Sequence, residues 1–157
     1  MASELPPPTA DNGYLVEHAR LLLRSYETLI GHPLMNDGGG DGRKLYEAPF
    51  FVASHTADED PILTYGNHRA QRLFEREWDE FIGTPSRFTA EAPQRAERAR
   101  LLSAVGHQGF IENYSGIRVS KIGRRFQIEN ATVWNLLDAD TGAKVGQAAT
   151  FASWTYL

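Results

Sequence analysis

Between residues 112 and 154 the chain alternates apolar and polar positions in three blocks, separated by the segments KIGR and DADTG. A period of two marks a strand with one face turned inward. The glycine in each separating segment supplies the positive φ angle that a tight turn can need. The pattern predicts an antiparallel meander at about 112–121, 125–137 and 144–154. Two shorter apolar runs, APFFVASH at 48–55 and ILTYGN at 62–67, read as further strands joined by the turn HTADEDP.

Ahead of them, GYLVEHARLLLRSYETLIGHP follows the helical period. Leu15, Ala19, Leu22, Tyr26 and Leu29 recur at steps of four and three along one stripe, and Val16, Leu23 and Ile30 widen it. Asp11 or Asn12 is placed to cap the start, and Gly31 and Pro33 to stop the helix. A stripe this wide has to pack on its own domain or on a second copy. Between residues 67 and 83 the pattern is again helical, with Ala70, Leu73 and Phe74 on one face and WDEFIG as a short further piece. Pro93 opens a longer helix whose stripe runs through Ala99, Leu102 and Val105 to Gly109, with Glu91 and Arg95 spaced for an ion pair.

This order predicts an α+β fold: a five-stranded antiparallel sheet, helices on one face, and an amphipathic N-terminal helix. Residues 1–12, with three consecutive prolines, read as a flexible tail, 13–32 as the helix, 33–47 as a glycine-rich flexible connector, and 48–157 as the main domain.

Composition narrows the function. The formal net charge of −4 argues against nucleic acid as a partner, and the one basic cluster, Lys121 with Arg124 and Arg125, falls at a turn. No apolar run approaches the roughly 20 residues that span a bilayer, and no secretory signal is visible, so a cytoplasmic protein without membrane contact is expected. The chain has no cysteine, which removes disulfides, thiolate metal sites and thiol nucleophiles together.

Several stretches resemble a known family. ILTYGNHRAQRLFEREWDEFIG is similar to the second strand and first helices of a PAS domain. PFFVASH, PSRFTAE, QGFIENYSGIRVSKIGRRFQIENATVWNL and GQAATFASW resemble the MEKHLA domain, a PAS-like domain found at the C-terminus of one class of plant homeodomain–leucine-zipper factors and as stand-alone bacterial proteins. The resemblance covers roughly residues 14–155, with neither homeodomain nor zipper, as in the stand-alone form. It implies a sensory or regulatory ligand-binding fold and carries over no catalytic residue and no cofactor. Flavin photosensors of this fold use an adduct-forming cysteine, and that chemistry is ruled out here.

A PAS sheet packs its inner face on the helical block and leaves a pocket between them. For strand 125–137 two registers compete. Counting from its beginning turns Asn130 and Trp134 inward; counting back from Asp138 turns Glu129, Ala131 and Val133 inward and leaves Trp134 as an outer contact for the N-terminal helix. The turn end favours the second, and a bulge between the halves reconciles the two. On the preceding strand Tyr114, Gly116 and Arg118 share a face, so Arg118 either pairs with Glu129 across the sheet or grips a carboxylate or phosphate in the pocket. Gly146, Ala148 and Ala152 are small enough to leave room on one face. The candidate ligand-binding set is Tyr65, Arg87, Asn113, Tyr114, Arg118, Glu129, Asn130, Trp134 and Gln147.

Other chemistry finds little footing. Asp37 and Asp41 lack the ligand spacing of a calcium loop, the histidines form no HxH or HxxxH pair, and NYSG is not a nucleophile elbow. His55 opens HTADED, where Asp58, Glu59 and Asp60 could make a weak divalent site but read as a solvated turn, and His107 is the one residue placed to serve as a haem ligand. The expected function is a small-molecule-binding regulatory domain without an output domain, acting through a partner or a homodimer formed by the helix or the sheet. The alternatives are a ligand-free interaction and dimerisation module, or a small cofactor-independent enzyme using Arg118 and Glu129.

Overall fold

The structure, a computed structural model, describes residues 5–36 and 42–157. Asp37 and Asp41, and with them the middle of the expected connector, lie outside the described residues. The elements are α1 (Val16–Ile30), α2 (Arg43–Tyr46), β1 (Phe51–Thr56), β2 (Leu63–Gly66), α3 (His68–Leu73), α4 (Trp78–Phe81), α5 (Ala92–Gln108), β3 (Phe110–Val119), β4 (Arg125–Leu137), β5 (Lys144–Phe151) and β6 (Ser153–Tyr156). All pairings are antiparallel, in the order β2-β1-β5-β4-β3, with β6 also beside β4. β5 and β6 are one strand interrupted at Ala152, since both run along β4, from Leu137 opposite Lys144 to Phe126 opposite Tyr156. The expected five-stranded sheet is therefore present, with its last strand broken once.

The break has a counterpart in β4. Asn130 has φ +51° and Asn113, on the neighbouring strand, has φ +58°. Asparagine tolerates this left-handed conformation better than most residues, and at each site the strand gains one residue that pairs with nothing. Phe126 and Ile128 face inward before the bulge, and Ala131, Val133 and Asn135 after it, which reconciles the two registers that the alternation allows.

Both faces of the sheet are covered. On the inner side Phe74, Phe81 and Phe126 stack in tilted contacts, and Leu101 and Val105 of α5 press on Val133. Asn67, fully buried, caps α3 by accepting from the Ala70 N–H at 3.1 Å and also donates to the carbonyls of Leu45 and Phe50. It thereby ties α2, with its buried Leu45, to the strand junction.

The outer face belongs to α1. Leu22 and Tyr26 are buried there, each worth about 1.5–3 kcal/mol relative to exposure. Trp134 Nε1 donates to the Leu22 carbonyl at 3.2 Å, and Tyr26 meets the Trp134 ring edge-on at 5.0 Å. Ser25 Oγ accepts from Leu137 N–H at 2.9 Å, satisfying a backbone donor freed by the register shift after Leu136. The helix starts later than the capping signals imply. Asn12 instead anchors a 3-10 turn over Ala10–Asn12, its side-chain oxygen accepting from Thr9 and Leu15. The expected tail is packed from Leu5 onward, where Trp78 Nε1 donates to the Leu5 carbonyl at 3.1 Å.

Candidate functional site

Between the inner face and α5 the side chains leave a cavity of about 70 Å³. Its floor is a row of small residues, Ala53 of β1 and Ala149 of β5, directly opposite one another in register and continued by Val133 of β4. Phe51, Phe74 and Phe151 line the apolar part, and Leu101 and Leu102 of α5 lie over it. The small residues singled out on β5 are not this floor. Ala148 touches the cavity but stands opposite Trp134, on the outer face. Gly146 serves close strand packing, since a Cβ there would lie 2.5 Å from the His55 carbonyl oxygen, and Ala152 is exposed at the strand break.

The remaining part of the lining is cationic. Arg118 is only 7% exposed; its Nη1 donates to the Ile117 carbonyl at 2.8 Å and its Nη2 to the Tyr114 hydroxyl at 3.2 Å. Tyr114 in turn donates to Glu97 Oε2 at 2.8 Å. Gly116 makes room for this pair, because a Cβ there would meet Tyr114 Oη at 2.4 Å and Arg118 Nη1 at 3.0 Å. Burial raises the Tyr114 pKa, against the pull of Arg118.

Arg98 enters from α5 with no hydrogen-bond or carboxylate partner among the described residues. Burial, and then the like charge of Arg118, push its pKa down to about 10. His55 completes the set. Its Nδ1 lies 2.8 Å from the Thr56 carbonyl, which can only accept, so Nδ1 carries the proton and Nε2 is left as a free acceptor. Burial pushes the His55 pKa down to about 4, with Arg98 and Lys144 adding to the effect against the backbone bond. A chain of net negative charge thus places the buried Arg118 and the half-buried Arg98 in one lining, and among the described residues no carboxylate is buried beside them.

Of the candidate residues, Tyr114 and Arg118 line the cavity. Gln147 lies beside it on the inner face, donating to the Leu102 carbonyl at 3.0 Å and to Asn135 Oδ1 at 3.1 Å, so it ties α5 to the sheet. The others lie elsewhere. Tyr65 is under α1, stacked on His18 at 5.4 Å, with its hydroxyl unpartnered among the described residues. Arg87 pairs with Asp60 and covers the Phe88 ring. Asn113 and Asn130 are exposed bulge residues, and Trp134 holds α1.

Glu129 accepts from the Thr155 hydroxyl beyond the bulge and does not meet Arg118, whose register partner is Phe126. The acid–base couple proposed for these two residues does not form. Glu91 pairs with Arg125 at 2.7 Å, while Arg95 caps the carbonyls of Arg87 and Ala90. Lys121 reaches Glu80 and Arg124 lies over the Tyr156 ring, so each member of the basic turn has an intramolecular contact.

His55 and Arg98 are lining residues that the sequence does not announce. His55 was read with the acidic turn, although its strand buries it. Arg98 shares a helical face with Leu101, Leu102 and Val105, and a charge in an apolar stripe was the available signal. The stripe read through Ala99 missed it, and Ala99 faces solvent. Among the described residues no cluster of three or more His, Cys, Asp or Glu side chains is placed to hold a metal, and no helix is long and apolar enough to cross a membrane.

A PAS-type sheet with a cavity under its long helix is what the sequence resemblance implies, and residues 16–156 match the family model of the MEKHLA domain. The chain belongs to the MEKHLA domain family. The match begins at the first residue of α1, so it takes in the helix as well as the sheet. No curated protein matches the sequence. Solved structures confirm the fold. The PAS domain of a protein from Colwellia psychrerythraea superposes with a TM-score of 0.57 at 15% identity, covering 69% of this chain and 90% of its own. A light-oxygen-voltage domain studied with a flavin analogue gives 0.58 at 14% identity, covering 73% and 82%. The blue-light activated histidine kinase of Erythrobacter litoralis gives 0.54 at 19% identity, over 66% of this chain and 32% of the kinase. The MEKHLA domain therefore has the fold of sensory PAS domains.

Proposed function

We propose that this MEKHLA domain is a cytoplasmic sensory module that takes a small molecule into the cavity under α5 and reports occupancy through α1, to a partner or a second copy. The observation that carries the reading is the alternation of two strands between cavity and helix. On β4, Val133 lines the cavity and the next residue, Trp134, holds the Leu22 carbonyl. On β1, Ala53 and His55 line the cavity while Ser54 between them lies 2.9 Å from His18 of α1. A change in either strand is felt on both faces one peptide later.

The volume bounds the ligand. Sites for drug-sized molecules and cofactors run to about 300–1,000 Å³, so a cavity of about 70 Å³ does not fit a flavin. The same small volume favours the second reading, a ligand-free interaction module whose self-association uses α1 or a sheet edge. Because the apolar stripe of α1 is buried within its own chain, pairing through that stripe requires the helix to exchange between copies.

Hydrogen exchange of α1 tests the first reading against the second. Leu101→Phe fills the cavity much as a ligand does, and the sensory reading expects altered protection over residues 18–26 with the fold retained. Unchanged protection there, together with no small molecule in an extract of freshly purified, denatured protein, would leave the interaction module.

A further inference from the structure

We infer that the cavity is built for a short-chain monocarboxylate of two or three carbons, its carboxylate held between Arg98 and Arg118 and its alkyl end on Ala53, Ala149 and Leu101. This rests on the ligand-binding reading above and names its ligand class.

Three observations point the same way. First, the charge is uncompensated. Two guanidinium groups whose charges oppose one another sit in the lining, Arg118 buried and Arg98 half-buried, and Glu97, the acid that accepts from the Tyr114 hydroxyl, is exposed. Burying like charges together is costly unless a counter-charge arrives, and a carboxylate matches the guanidinium fork in shape as well as sign.

Second, the polarity is divided. Beyond His55, Thr89, Arg98, Tyr114 and Arg118, and Ser54 whose hydroxyl is turned to His18 and Thr64, the side chains of the lining are aliphatic or phenylalanine. A polyanion such as a nucleotide or a dicarboxylate would leave its second charge against Phe51 and Phe151. A bare inorganic anion would leave the apolar part empty.

Third, the size is small. A cavity of about 150 Å³ takes benzene, six heavy atoms. By that scale a cavity of about 70 Å³ holds about three heavy atoms, so only the shortest monocarboxylates come near its size. Acetate, with four, slightly exceeds it, and propionate, with five, needs the half-buried Arg98 to give way outward. The free Nε2 of His55 adds selectivity, because an acceptor in the lining disfavours a second carboxylate group.

The experiment is a titration of the full chain, methyl-labelled at leucine and valine, with sodium propionate. Sodium chloride at equal ionic strength and propionamide, a neutral molecule of the same shape, serve as controls. Saturable shifts at Leu101 and Val133 are expected with propionate. Propionamide should bind at least about tenfold more weakly, as should propionate to Arg98→Gln, the loss usual for one charge-assisted hydrogen bond. Arg118→Gln repeats the test at the second anchor. Leu101→Phe keeps both arginines but fills the apolar part, and it should abolish the propionate shifts while chloride effects persist.

Equal affinity for propionate and propionamide would overturn the carboxylate assignment and leave a small-molecule cavity. So would unchanged propionate binding by both arginine variants. No saturable shift with propionate overturns it as well, and the exchange behaviour of α1 in Leu101→Phe then decides separately whether the sensory reading survives.

Discussion

Val133 and Trp134 are neighbours in β4 whose side chains serve opposite faces of the sheet, one lining the cavity under α5 and the other bonded to the Leu22 carbonyl of α1. No loop or hinge is needed to connect the two. The strand itself is the connection.

Trp134→Phe keeps a large aromatic against Tyr26 but removes the only donor able to reach the Leu22 carbonyl from that ring. Unfolding in urea should show a loss of about 1 kcal/mol, the usual worth of such a bond, with faster exchange in the middle of α1. Trp134→Ala should cost about 3–5 kcal/mol by leaving a cavity.

Arg98 is a liability in the empty protein, since burial and Arg118 both oppose its charge. Arg98→Met should therefore raise the stability of the ligand-free chain, by on the order of 1 kcal/mol, while weakening carboxylate binding. A thermal melt with and without propionate reads both effects, and a destabilised ligand-free variant would contradict the cationic strain.

Stability should fall on acidification from about pH 6.5 to about pH 4. His18 and His55 are held neutral by burial, with pKa values near 4 against an ordinary value of 6.5. In that window the unfolded chain binds protons that the folded chain refuses, so unfolding becomes easier as pH drops and the trend levels off below about 4. Asp138, held below its ordinary value by backbone donors from Thr141 and Asp140, adds a loss at the acid end. His55→Gln should flatten the slope of melting temperature against pH over this window, and an unchanged slope would remove His55 from the account.

Asn130 fixes the bulge that turns Val133 inward. Asn130→Gly should be close to neutral, because glycine accepts φ +51° freely. Asn130→Val should cost about 1–3 kcal/mol, being β-branched in a left-handed position. Equal stability of the two variants in guanidinium unfolding would show that the bulge carries no strain.

Removing residues 1–31 uncovers Trp134 and the outer-face residues beneath α1. The truncated chain should aggregate or lose its cooperative melt, readable by light scattering and calorimetry. A soluble monomer of unchanged melting temperature would mean that α1 contributes nothing to the sheet.

Most of the fold was legible because its signals are local. Period-two runs, the glycines of KIGR and DADTG, and the wide stripe from Leu15 to Leu29 each act within a few residues. What was not legible depends on long-range geometry. Two asparagines in left-handed conformations change which side chains face inward; asparagine suits such a position, and the alternation admits a bulge in strand 125–137, but neither signal says which asparagine bulges or that the neighbouring strand bulges too. That is why Glu129 was placed with Arg118 and is found beside Thr155. Three prolines near the N-terminus look like a loose tail, yet the Leu5 carbonyl finds an indole donor far along the chain. Arg98 is not legible as a lining residue because an arginine on a helix is ordinarily a solvent residue.

The tether on α1 has a consequence for any protein that answers to this domain. A covalently attached helix competes for the outer face at an effective concentration on the order of millimolar. A diffusing competitor at micromolar abundance is outcompeted about a thousandfold under those terms. Its access to Trp134 therefore depends on weakening the His18–Ser54 and Trp134–Leu22 contacts rather than on its own abundance. Such an arrangement sets a threshold, and the outer face stays closed to even a well-matched competitor until its own helix lets go.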